Sequence, residues 1–119
     1  MLTKQKKSLV LVLKESGRPL TRDEILCEGR KLVPSLGSAT VDRFIKEMCQ
    51  NFQLVGLSFP GQQRRFELPA VREHPHFICR VCQKVFDLDI TMRLPNVDLP
   101  EGYNLYGGEV VYTGICPHC

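Results

Sequence analysis

The chain has 119 residues, 43% hydrophobic and 24% charged, with a formal net charge of +3. This is the composition of a soluble globular protein, long enough for one ordinary domain or two very small ones. A membrane-spanning chain is excluded by the absence of any run near ~18 apolar residues. The longest run, Leu9 to Leu13, is too short for a signal peptide and lacks a cleavage site, so a cytoplasmic protein is expected. Charge is uneven: residues 1–72 hold 13 Lys+Arg against 7 Asp+Glu, and residues 73–119 hold 3 against 6. A basic half suits an anionic partner.

In chain order, TKQKKSLVLVLKESG reads as a helix with Thr3 as N-cap and Gly17 as C-cap. TRDEILCEGRKL follows, where Thr21 and Glu24 have the spacing of a capping box and Pro34 ends the helix. In SATVDRFIKEMCQNF, Ser38 is the expected N-cap. Val41, Phe44, Ile45, Met48 and Phe52 fall at helical spacing on one face, and Thr40, Arg43, Lys46, Glu47 and Gln50 lie away from it. Three short helices, the last with a polar outer face, predict a helix-turn-helix domain.

LVGLSF and RRFEL are strand-like runs separated by Pro60-Gly61-Gln62-Gln63, a turn signal, and together predict a β-hairpin. In a winged helix that hairpin sits beside the recognition helix, where Arg64 and Arg65 would face phosphates. A hairpin that simply covers the core describes the same residues. Pro69 to Glu73 read as a linker. HFIC, KVFDLD and EVVYTGIC are strand candidates, and MRLPNVDLPEG, with two prolines, cannot be one long helix.

The cysteines carry the sharpest signal. Without an export signal, disulfides lose most of their weight and metal binding is favoured. Cys79/Cys82 and Cys116/Cys119 form two Cys-x-x-Cys pairs, each able to deliver two thiolates to one side of a tight turn. Four thiolates close a tetrahedral zinc site, which is therefore structural and not catalytic. A redox dithiol needs only one such pair. Cys27 and Cys49 read as buried apolar residues. His118 reads as a surface residue. His74 and His76, two apart, project to the same side of a strand. With Glu67 and Asp87 they offer two imidazoles and two carboxylates, a harder donor set suited to Fe(II), Mn(II) or Zn(II). By spacing alone, polar residues around a linker describe them equally well.

TKQKKSLVLVL, SATVDRFIKEM, FEL, HPHFICRVCQKVFDLD and EGYNLYGGEVVYTGICPHC, in that order, resemble the ferric uptake regulator family over nearly the whole chain. The resemblance implies an α+β protein: a winged helix-turn-helix DNA-binding domain over residues 1–70 and a small zinc-stabilised α/β dimerisation domain over 71–119. It further implies metal-dependent repression of promoters by a homodimer on a palindromic double-stranded operator. By position, Cys79, Cys82, Cys116 and Cys119 match the structural zinc ligands. Glu67, His74, His76 and Asp87 match a regulatory site for Fe(II) or Mn(II) at the hinge between domains. Lys4, Lys6, Lys7, Arg64 and Arg65 become the expected phosphate contacts, and Thr40 and Arg43 the base-edge candidates. Two departures stand out: Pro19 replaces a histidine usual in the family, and Asp42 replaces an aromatic residue of the recognition helix. Glu67 resembles the iron-sensing branch and Asp87 the peroxide-sensing one. A zinc-stabilised interaction module that no longer senses metal is a further alternative. Two histidines and a carboxylate also describe non-heme iron oxygenases, but the sequence offers no nucleophile or substrate pocket, and no enzyme activity is expected.

Overall fold

The computed structural model describes residues 3–69, 74–91, 95–105 and 108–119. The chain divides into two compact units, Met1–Val71 and Arg72–Cys119. The linker expected over 69–73 falls, apart from Pro69, outside the described residues.

The N-terminal unit contains α1 (Thr3–Ser16), β1 (Leu20–Thr21), α2 (Arg22–Leu32), α3 (Ser38–Gln50), β2 (Val55–Leu57) and β3 (Arg65–Glu67). β2 and β3 pair antiparallel, with Gly56 opposite Phe66, and β1 adds antiparallel to the other edge of β3, with Leu20 also opposite Phe66. Helix-turn-helix and hairpin together make a winged helix. One core joins them: Leu9, Leu13, Leu20, Ile25, Leu36, Val41, Phe44, Met48, Leu54 and Phe66 are all buried. Each such side chain contributes ~1.5–3 kcal/mol on leaving water. The helices approach closely because α2 carries Gly29, where a Cβ would lie 2.6 Å from Leu36 Cδ2 and 3.0 Å from Leu9 Cδ2.

Helix ends follow local chemistry. Gly17 takes φ +62 after α1, as a C-terminal glycine should. The Thr21–Glu24 capping box is complete in both directions. Ser38, expected as the N-cap of α3, is instead its first helical residue, and the cap is Gly37 with no side-chain hydrogen bond. Phe52 also departs from expectation. α3 closes with Gln53 N donating to Met48 O at 2.9 Å and Phe52 N to Cys49 O at 3.2 Å. That Schellman arrangement requires a left-handed residue, and Phe52 supplies it at φ 57. The reversal turns its ring outward, 89% exposed, and Leu54 enters the core in its place.

The C-terminal unit is a three-stranded sheet in the order β5-β4-β6, from β4 (His76–Cys79), β5 (Val85–Asp87) and β6 (Val111–Gly114). β4 pairs antiparallel with β5, placing His76 opposite Asp87, and parallel with β6, placing Cys79 opposite Gly114. Among its described residues there is no helix, and residues 95–105 are irregular. No described helix of the chain is long and apolar enough to cross a membrane.

Candidate metal centres and nucleic-acid interface

The parallel β4–β6 pairing brings residues more than thirty positions apart to one end of the sheet. Cys79 ends β4, and Cys82 follows in a turn closed by Gln83 N donating to Cys79 O at 2.9 Å, with Gln83 at φ 61. Cys116 lies just past β6, and Cys119 N donates back to Cys116 O at 3.1 Å. The four sulfurs all fall within 4.8 Å of one another. Cys82 and Cys116 Sγ are 3.8 Å apart, and Cys116 and Cys119 Sγ 3.5 Å. Thiolates ~2.3 Å from a tetrahedral zinc stand ~3.8 Å apart, whereas a disulfide needs ~2.05 Å. All six cysteines are free thiols, and this donor set fits structural zinc.

Backbone amides support the sulfurs. Cys116 N and Cys82 N donate to Cys79 Sγ at 3.4 and 3.5 Å. These bonds hold the Cys79 thiol at about 6, below the ordinary 9.0. Cys119 is pushed up to about 12, chiefly by its bond to the Cys116 sulfur and then by burial. A site already biased toward one thiolate is suited to a cation. Cys27, expected to be buried, is exposed on α2, and Cys49 is half-buried.

At the other end of β4 lies the second set. His74 precedes the strand, His76 opens it, and Asp87 ends β5 directly across the ladder. Both Nε2 atoms are 3.1 Å from Asp87 Oδ1. Cis ligands at ~2.1 Å from an octahedral divalent ion stand ~3.0 Å apart, so this trio has the spacing of one face of such a site. All three residues are half-buried. Glu67 is the last residue of β3 in the N-terminal unit, also half-buried.

The nucleic-acid candidates fare unevenly. Lys4 and Lys7 are exposed on α1, and Lys6 is half-buried. On α3, Arg43 is exposed and donates to Thr40 Oγ1 at 3.3 Å. Arg64 is exposed on the hairpin, its guanidinium 5.6 Å from the Phe66 ring centroid. The bare Gly56 makes room for it, since a Cβ there would meet Arg64 Nη2. Arg65, expected to face phosphates, is instead turned into the protein. Its side chain is only 7% exposed and ion-paired to Glu24 Oε1 at 2.6 Å. It also donates to Pro19 O at 3.2 Å and Gln62 Oε1 at 2.8 Å. The reason is β1, which packs against β3 and turns the Arg65 position inward.

Two residues escaped the sequence reading. Glu24, recognised only as half of a capping box, also pairs with Arg18 Nη2 at 2.5 Å. Arg22, on the outer face of α2, pairs with Asp42 at 2.6 Å. Opposite charges twenty positions apart give no sequence signal until the helices are packed.

Comparison with known proteins agrees with this architecture. Residues 1–96 match the Ferric uptake regulator family. The chain is 26% identical to the ferric uptake regulation protein of Campylobacter jejuni over 98% of its own length and 78% of that protein's. A solved zinc-bound manganese uptake regulator shares the fold at a TM-score of 0.78 with 17% identity, over 98% of this chain and 90% of that one. The Campylobacter jejuni peroxide stress regulator matches at a TM-score of 0.66 with 21% identity, over 98% of this chain and 90% of that one. With a family match across four-fifths of its length, on a winged helix followed by a four-cysteine sheet, the chain belongs to the ferric uptake regulator family.

Proposed function

We propose that the protein is an iron-sensing repressor that binds a palindromic operator as a homodimer. Residues 1–70 form its DNA-binding domain and 71–119 its dimerisation domain. The observation that carries the reading is the His74–His76–Asp87 trio, an imidazole-rich oxygen and nitrogen set beside a separate all-sulfur set. Soft and hard donors kept apart in this way suit two different ions.

In this reading Cys79, Cys82, Cys116 and Cys119 hold zinc and tie the end of the chain to β4. His74, His76 and Asp87 ligate the sensed ion, and Glu67 is the further ligand. Bound Fe(II) or Mn(II) supplies the differential affinity that favours the DNA-competent arrangement of the protein. Lys4, Lys6, Lys7 and Arg64 contact phosphates, and Thr40 and Arg43 reach base edges from α3. Paired half-sites then lie about one helical turn (~34–36 Å) apart or a multiple of it. Exposed Val97, Leu99, Tyr103, Val111 and Tyr112 offer apolar surface for a second copy to cover.

The test is retention of duplex DNA by zinc-loaded protein with and without added Fe(II) or Mn(II). The reading expects retention only with the second ion, falling steeply with salt as counterions are released. Metal-independent or salt-independent retention would count against it. A peroxide-sensing role is the second reading. It is favoured by the contact of Asp87 with both imidazoles, which makes a carboxylate central to the trio. Loss of DNA retention after brief peroxide treatment of the iron-loaded protein, but not of the manganese-loaded one, would select it.

A further inference from the structure

Asp42 lies on the outer face of α3, at helical spacing from Ala39 and Lys46 and next in sequence to Arg43, all of them exposed. A lone carboxylate on that face would repel a duplex. It is not alone. Arg22, the first residue of α2, grips it with a two-pronged bond, Nε to Oδ1 at 2.6 Å and Nη2 to Oδ2 at 3.1 Å. The same guanidinium donates to Asp23 Oδ1 at 3.0 Å and to Ser38 Oγ at the start of α3. Four of its five N–H groups are thereby occupied within the protein. Arg22 is thus held by two carboxylates and has little left to offer a phosphate. Arg43, by contrast, makes no ion pair among the described residues and bonds only neutral Thr40.

The pair is well formed but weakly held. Its side chains are 34% and 57% exposed. Water screens an exposed ion pair and leaves it only weakly held, so a competing partner of similar chemistry can exchange into it. Both halves have natural competitors on DNA. A carboxylate accepts from cytosine N4 in the major groove, and a guanidinium bonds a phosphate.

We infer that Asp42 and Arg22 form a partner-exchange filter that sets the sequence specificity of the recognition helix. On non-specific DNA the pair stays closed, Arg22 is withheld from phosphate, and the excess carboxylate charge of Asp42 and Asp23 weakens binding. At a site presenting cytosine to Asp42, the carboxylate takes the N4 amino group and Arg22 turns to a phosphate nearby. The two bonds of the Asp42–Arg22 pair are exchanged for new ones, the carboxylate's to cytosine N4 and the guanidinium's to phosphate oxygen. Specificity then comes as much from penalising wrong DNA as from rewarding the right one. This inference rests on α3 being the helix that reads DNA.

The experiment is selection from a pool of ~30-bp random duplexes, long enough for two half-sites one turn apart. It uses the full zinc- and manganese-loaded chain, the Asp42→Ala and Arg22→Ala variants, and the double variant. Binding of the unselected pool is measured alongside by fluorescence anisotropy. Wild type should enrich a C·G pair at one fixed position in each half-site. Asp42→Ala should lose that preference and bind the unselected pool about tenfold tighter, since a repulsive charge is gone and Arg22 is released. Arg22→Ala should bind the unselected pool more weakly than wild type, and the double variant should recover that loss. The inference is overturned if Asp42→Ala enriches the same sequences as wild type, or if its binding to the unselected pool does not rise. Metal-dependent retention of DNA without sequence enrichment also overturns it while sparing the regulator reading. No retention by wild type at any salt sinks both. Circular dichroism checks that the surface substitutions leave the fold intact.

Discussion

Glu24 and Arg65 meet at 2.6 Å across 41 positions of sequence. Around that contact Arg18, Thr21 and Gln62 complete a polar cluster beneath the hairpin. Burial alone would raise the Glu24 carboxyl. The Arg18 bond, the Thr21 amide and the charges of Arg18 and Arg65 outweigh it and hold the group at about 2, against an ordinary 4.5. A depressed carboxyl stabilises the fold above its unfolded value and loses that contribution as pH falls toward the folded one. Acid should therefore cost this protein up to about 3 kcal/mol between pH ~4.5 and ~2 through Glu24 alone. Glu24→Gln should flatten that part of the pH–stability curve. Glu24→Ala should cost about 3–5 kcal/mol at neutral pH by stranding a buried guanidinium. Urea denaturation at several pH values measures both.

The two neighbouring arginines of the hairpin should separate cleanly. Arg64→Ala removes an exposed cation stacked on Phe66 and should cost no more than about 1 kcal/mol of stability. It should lower the slope of log affinity against log salt by about 1. Arg65→Ala should instead lower the melting temperature and leave the salt slope of the folded protein unchanged. Anisotropy titrations at four or more salt concentrations, paired with thermal melts, decide the assignment.

Much of this arrangement is legible in the sequence, and the failures have a common physical origin. Cys-x-x-Cys pairs, the capping box and the β-hairpin turn are local signals, and each appears where its spacing puts it. β4 begins and ends at the residues of HFIC. The inward turn of Arg65 depends on β1, a two-residue strand too short to carry any pattern. The outward turn of Phe52 depends on where α3 stops, which its apolar periodicity does not encode. The pairing of Arg22 with Asp42 depends on how α2 packs against α3. Residue type and spacing reveal what a side chain offers, and packing decides what it meets.

Gly29 sets the closeness of that packing. Alanine in place of a mid-helix glycine ordinarily gains up to ~1 kcal/mol of helix propensity. Here the added carbon would push into Leu36 and Leu9, whose side chains are themselves fully packed. Gly29→Val should cost about 1–3 kcal/mol by overpacking. Equilibrium unfolding of parent and variant measures the difference.

Zinc removal has a built-in reporter. All three tyrosines, Tyr103, Tyr106 and Tyr112, lie in the C-terminal unit, and the chain has no tryptophan. Every described helix lies in the N-terminal unit. Stripping the metal with a chelator, or replacing Cys116 with serine, should collapse the near-ultraviolet tyrosine signal while most of the helical far-ultraviolet signal persists. Re-adding Zn(II) should restore the parent and not Cys116→Ser.

The most direct measurement of the central claim combines metal content with DNA retention in the parent and a His74→Ala/His76→Ala variant. The account predicts one tightly held zinc per chain in both proteins, a second exchangeable Fe(II) or Mn(II) only in the parent, and DNA retention only when that second ion is present. Equal DNA retention by both proteins, unaffected by added metal, would contradict it.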